Sequence, residues 1–91
     1  AENNHIALLQ GLYSTYNLTQ PAVPAISTPD FSSIADACTV GIQAEIDNAK
    51  LYKEELLPQV LNYPDVTTVF TQLMNASQNN LLPAFQRCAN R

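Results

Sequence analysis

The sequence predicts an all-α protein. Only two glycines occur among 91 residues, too few for the tight turns of a β sandwich. Apolar residues recur at three-and-four spacing over three stretches, the signature of helices that each bury one face. All prolines but Pro83 fall outside those stretches or at their borders, where a missing backbone donor and a fixed φ do least harm.

The first stretch sets Ile6, Leu9, Leu12, Tyr13 and Tyr16 on one side and predicts a helix over about 2–16. Residues 17–28 then carry Pro21 and Pro24 among small and β-branched residues, so the chain is expected to run extended as a linker within the domain. Thr28, Pro29 and Asp30 offer a capping hydroxyl, a proline at the first helical position and an acid at the positive end of the dipole. A second helix is therefore expected over about 29–57, with Ile34, Cys38, Gly41, Glu45, Asn48, Tyr52 and Leu56 as its inward stripe. Pro58 interrupts it, and Asn62, Tyr63 and Pro64 reset the chain for a third helix over about 64–90, kinked near Pro83. Its inward residues are expected to be Val66, Phe70, Leu73, Ser77, Asn80, Ala84 and Arg87 or Cys88. No internal repeat is evident, and residues 1–91 make one domain.

Composition narrows the function. Four Lys and Arg against eight Asp and Glu leave a net charge of −4, so no basic stripe exists to release counterions from a nucleic acid or hold an anionic membrane. No apolar run approaches the roughly 20 residues of a membrane span. Charged residues make up only 13%, about half the usual share, and Asn, Gln, Ser and Thr supply the polar surface instead. Such a surface suits a secreted protein, and with no basic-then-apolar leader before Ala1 a processed or excised chain is expected.

The two cysteines fit the same picture. A six-or-seven-residue connection around Pro58 requires the second and third helices to be antiparallel, which brings Cys38 and Cys88 to the same end and predicts a disulfide. The alternative is two separate buried thiols. Seven residues of helix from Cys38 to Glu45 and eight from Asn80 to Cys88 span about 10 and 12 Å, so Glu45 and Asn80 are expected to face each other. Asn17-Leu18-Thr19 and Asn75-Ala76-Ser77 are glycosylation sequons at the chance frequency. Asn17, in the linker, is the better acceptor.

Polar residues on inward stripes are the candidate site. Glu45 and Asn48 lie on the second helix, Ser77 and Asn80 on the third, and Glu2 and His5 share a face of the first. A buried carboxylate needs a partner. One reading is a polar layer, with Glu45 bonded to Asn80, Ser77 or His5, that sets helix register. The other is a metal site, since Glu-x-x-His places two ligands one turn apart and Glu45 can approach from a facing helix. No phosphate loop or Ser-His-Asp set is present, and a single His gives little scope for general acid or base work.

Ala1-Glu2-Asn3-Asn4-His5 with Leu9, Leu12 and Tyr16-Asn17-Leu18 is followed by Asp36-Ala37-Cys38-Thr39-Val40-Gly41 with Glu45. The pattern resumes with Pro64-Asp65-Val66, Val69-Phe70, Leu73 and Ser77-Gln78-Asn79-Asn80-Leu81, and ends at Ala84-Phe85. In order and spacing this resembles the small ferritin-like domains of unknown function found in bacteria and archaea, over most of the chain. The resemblance implies an up-down four-helix bundle, here three helices of four, in which Glu2, His5 and Glu45 occupy inward polar and metal-binding positions for iron or zinc. The family's first helix, rich in Glu and Lys, has no counterpart. Asn80 stands where the family has His, Ile46 where it has a second Glu, Asn48 where it has Asp, and Pro83 replaces a polar residue. The expected function is a secreted structural or self-associating helical module with a degenerate metal site, its open face covered by a second copy or a complementary N-terminal helix. The alternative is a metal-binding, di-iron-like oxidoreductase or metal-storage protein.

Overall fold

A computed structural model describes residues 2–27 and 29–90. It is all-α, with three helices and no strand among the described residues. Helix α1 is Glu2–Thr15. Helix α2 begins as Ile34–Leu51, widens into a π-helical turn over Tyr52–Leu56 and ends in Leu57–Gln59. Helix α3 repeats this plan with Pro64–Ala76, a π turn over Ser77–Leu81 and a last segment Leu82–Ala89.

Helix α1 closes with Asn17 at φ 54°. The Leu18 N–H donates to the Tyr13 carbonyl at 2.9 Å and the Asn17 N–H to the Ser14 carbonyl at 3.2 Å. This pair of bonds ties off carbonyls that the helix end leaves free, and Asn tolerates the left-handed conformation it requires.

Helix α2 starts later than the Thr28-Pro29-Asp30 signal predicts. Thr28 lies outside the described residues, Pro29 and Asp30 are not helical, and the cap is Ser33. Its Oγ accepts the Asp36 N–H at 3.1 Å, while the Ser32 hydroxyl donates to the Asp36 carboxylate. A hydroxyl three residues before an acid satisfies two needs of a helix start at once, a competing signal the proline obscures. As a consequence Ile34 is 81% exposed and does not join the inward stripe.

The two π turns share one local sequence plan. Tyr52 to Pro58 and Ser77 to Pro83 each end in Leu-Leu-Pro, and the bonds that widen them are equivalent: Leu57 N–H to Tyr52 C=O and Leu82 N–H to Ser77 C=O. In a regular helix each proline ring would strike the carbonyl four residues back. Widening the preceding turn relieves that contact and lets the helix continue, so each proline is carried by one extra residue per turn instead of a break.

That extra residue shifts the phase of α3. Beyond Ser77 the inward positions are Leu81, Phe85 and Cys88, each one residue later than uniform spacing predicts for the first two, while Asn80 and Ala84 are exposed. The expected Glu45–Asn80 pairing is therefore not made.

Helices α2 and α3 are antiparallel, joined around Val60–Tyr63 by Val60 N–H to Leu57 C=O and Tyr63 N–H to Val60 C=O bonds of 3.1 and 2.9 Å. The Cys38–Cys88 disulfide joins their far ends, with a Cα separation of 5.9 Å across 50 residues. Between the two ends, Tyr52 meets the Phe70 ring edge to face at 5.4 Å and Ala49 is buried.

Helix α1 lies along α3 only, and no Cα of α1 comes within 8 Å of one in α2. Its start, at His5 and Leu9, shares a cavity with Ser77 and Leu81, and its end packs near Val66 and Phe70. It therefore runs antiparallel to α3 and parallel to α2, and the segment between Leu18 and Ser33 crosses the length of the molecule. The order is up, crossover, up, down, where a simple up-down succession was expected.

The core is thin. Cys38, Ala49 and Leu73 are the buried apolar residues among those described. The radius of gyration is 15.1 Å, against about 12 Å for a compact domain of this length.

Candidate functional site

The inward polar residues gather around one cavity in the middle of the molecule. Its wall takes Glu2, His5, Ile6 and Leu9 from α1, Glu45, Asn48 and Tyr52 from α2, and Leu73, Ser77 and Leu81 from α3. Four-and-three spacing along α2 stacks Glu45, Asn48 and Tyr52 on the face toward α3, and the π turn that starts at Ser77 brings Leu81 in place of Asn80.

The polar groups pair only in part. The Asn48 side-chain amide donates to Ser77 Oγ at 2.7 Å, and Ser77 is 2% exposed, so this bond is shielded from water and fixes the register of α2 on α3. His5 Nδ1 lies 3.2 Å from Glu2 Oε1 one turn away on α1. Glu45 Oε2 is buried and has no hydrogen-bond partner among the described residues. Of the expected polar layer, Asn48 and Ser77 make a bond, His5 turns to Glu2, and Glu45 is left with an unsatisfied oxygen.

Negative charge reaches across the cavity. Burial, and then the charge of Glu2, push the Tyr52 phenol above its ordinary value of 10.0. Both effects disfavour a phenolate, so the group stays a hydroxyl through the neutral range.

Glu2, His5 and Glu45 thus border one cavity, but they do not make a metal site by themselves. No three His, Cys, Asp or Glu side chains converge on a point among the described residues. The Glu2 side chain is 73% exposed, and the other carboxylate, Glu45, reaches the cavity from a helix whose backbone stays beyond 8 Å of α1. A resident ion needs at least three donors at bonding distance in a set geometry, and these residues do not supply it.

The other sites named from sequence fall into place separately. Cys38 and Cys88 are joined. Asn17 is exposed, with Thr19 beside it exposed as well. Asn75 is on the surface of α3, but the hydroxyl of its sequon belongs to buried Ser77 and is engaged by Asn48. No described helix is long and apolar enough to cross a membrane.

Sequence periodicity missed a second feature, the contact of Tyr16 with Asp65. The Tyr16 hydroxyl donates to Asp65 Oδ1 at 2.6 Å, and its ring meets Tyr63 edge to face at 5.9 Å. Both residues are at helix ends, where spacing along one helix says nothing of the next.

Comparison with family models, with curated proteins and with solved structures finds no match.

Proposed function

We propose that this chain is a secreted, non-enzymatic helical module that completes its core by self-association, built on the plan of a ferritin-like bundle whose metal site has decayed. The observation that carries the reading is the exposed surface. At 6745 Å² it exceeds by about 1500 Å² the roughly 5200 Å² that a compact 10.0 kDa monomer exposes. The exposed crossover accounts for part of the excess, and a permanent dimer buries about 1000 Å² or more of each partner.

Topology supports the reading. A crossover between two parallel helices, followed by an antiparallel pair, is the connectivity of three consecutive helices of a ferritin-like bundle. The separation of α1 from α2 leaves open the corner where a fourth helix packs in that plan, beside the cavity. Ile6 and Leu51, 51% and 41% exposed, stand on the two helices that flank the gap. Loss of metal ligands at Asn80 and Asn48, and the exposure of Asn80, fit a scaffold rather than a catalyst. The disulfide fits an oxidising compartment.

Light scattering on a sizing column tests this. The expected particle has twice the chain mass, and Ile6→Glu reduces it to single chains. A monomer at every concentration, with cooperative melting, overturns the proposal. The competing reading, an oxidoreductase or storage protein whose remaining ligands come from another helix, requires stoichiometric iron or zinc in protein purified without chelator, lost in Glu45→Ala.

A further inference from the structure

The chain holds two glycosylation sequons, Asn17-Leu18-Thr19 and Asn75-Ala76-Ser77, and the fold treats them differently. A transferase must reach the Asn amide and the hydroxyl two residues on from the same side of the chain. Successive residues of a helix are about 100° apart, so Asn75 and Ser77 face nearly opposite ways on α3. Asn75 is exposed, whereas Ser77 is 2% exposed and its Oγ accepts the Asn48 amide. That sequon is closed once α3 packs on α2.

Asn17-Leu18-Thr19 meets no such obstacle. Helix α1 stops at Thr15, Asn17 turns the chain at φ 54°, and all three residues of the sequon are exposed. Pro21 and Pro24 follow, so the segment after the sequon is not drawn into a helix. The surroundings also give a sugar chain something to cover. Tyr16 and Leu18, on either side of Asn17, line an apolar cleft of about 350 Å³ with Val60, Tyr63 and Val66. Leu18 is 61% and Tyr63 49% exposed, and a bare apolar patch of this kind is prone to unspecific association. Sugar rings pack their C–H faces on such side chains and keep their hydroxyls in water.

We propose that Asn17 is the acceptor of an N-linked glycan that covers this cleft. The donor is a lipid-diphosphate-linked oligosaccharide. The Asn17 amide nitrogen bonds to the anomeric carbon of the first sugar as the bond from that carbon to the diphosphate oxygen breaks. The lipid diphosphate leaves with the electron pair, and the amide gives up one of its two protons. Transfer takes place in a secretory compartment and so rests on that part of the function proposed above, but it does not depend on the dimer. Ile6, beside the gap assigned to a second copy, is toward the other end of α1, so glycan and partner do not compete.

Secretion of the full chain from a yeast or insect-cell host, with intact mass spectrometry before and after peptide N-glycosidase, tests the site. The expected product carries one glycan, which the enzyme removes with conversion of Asn17 to aspartate. Asn17→Gln and Thr19→Ala abolish it, while Asn75→Gln and Thr19→Ser keep it. Thr19 is exposed and outside every helix, so Thr19→Ala retains the helical spectrum and the disulfide, and its loss of sugar reads the sequon rather than the fold. The sugar-free Thr19→Ala protein is expected to bind more of an apolar dye than the glycosylated chain. Disulfide-bonded chain secreted without sugar overturns the proposal, as does sugar on Asn75 alone or equal dye binding with and without the glycan. Light scattering on the same protein separates the two readings: a sugar-free dimer overturns the glycan alone, and a glycosylated monomer overturns self-association alone.

Discussion

The Phe85 ring occupies the space that a side chain on Gly41 would need. A Cβ at residue 41 would lie 2.6 to 2.8 Å from three ring carbons of Phe85, so the two helices meet here through a backbone surface on one side and an aromatic ring on the other. Gly41 carries a negative φ, and its value is therefore room, not conformational freedom. Alanine is the better helix former by about 1 kcal/mol, yet displacing a packed ring costs about 1–3 kcal/mol. Gly41→Ala is expected to lower stability in urea melts by up to about 2 kcal/mol, and Phe85→Leu in the same chain recovers part of the loss. A stabilised single variant would show that the ring yields without cost.

The disulfide closes the end of the pair that Gly41 and Phe85 bring together. Linking residues 50 apart in sequence removes chain entropy worth about 4 kcal/mol from the unfolded state. In a small domain with a thin core that is a large share of the total. Cys38→Ala with Cys88→Ala, or reduction, is expected to lower the denaturation midpoint steeply while leaving the far-UV spectrum helical at low temperature. An unchanged midpoint would mean that the reduced chain stays closed by packing alone.

Asn48 and Ser77 form the shielded polar contact of the hairpin. Ser77→Ala leaves the Asn48 amide without its acceptor inside the protein and is expected to cost about 1–3 kcal/mol. Removing both groups, with Asn48→Ala added, costs less than the sum of the single changes. A double-mutant cycle with a coupling near zero would place the bond in exchange with water and remove it from the account of register.

Tyr16 ties the end of α1 to the start of α3 through Asp65. The hydrogen bond to Asp65, followed by desolvation and the charges of Asp65 and Tyr63, raises the Tyr16 pKa above 10.0. A raised value means that folding favours the protonated phenol. Its contribution is complete below pH 10 and is lost as pH rises through the folded-state value. Alkaline titration followed at 295 nm is expected to show Tyr16, like Tyr52, ionising late, with α1 loosening as Tyr16 does. Tyr16→Phe removes both that late step and the alkaline loosening. Loosening that persists in the variant would assign it to another group.

Spacing made the three helices, their antiparallel pairing and the cysteine bridge legible in the sequence, because each rests on a local period or on a short connection. It failed where the helix stops being regular. Asn80 reads as inward only if every turn holds 3.6 residues, and the π turn at Ser77 gives its place to Leu81. The signal for that turn was present in the two Leu-Leu-Pro segments at matched distances after Tyr52 and Ser77. Thr28, Pro29 and Asp30 promised a helix start that Ser33 and Asp36 provide instead. In the site, spacing identified Glu2, His5, Glu45, Asn48 and Ser77 as neighbours of one interior space. Which of them bond to each other depends on helix separation, which no single helix encodes.

Both cysteines belong to the hairpin of α2 and α3, so the covalent ring they close excludes α1. The first helix is in effect a ligand on a tether, held by Tyr16, Tyr63, Asp65 and a band of apolar contacts, at a local concentration set by the crossover. Tethers of this length supply an effective concentration in the millimolar range, enough to keep a weakly docked helix in place without making the docking permanent. A cut in the crossover would turn that docking into release, leaving the stapled hairpin intact and its cavity open on the side that α1 had covered.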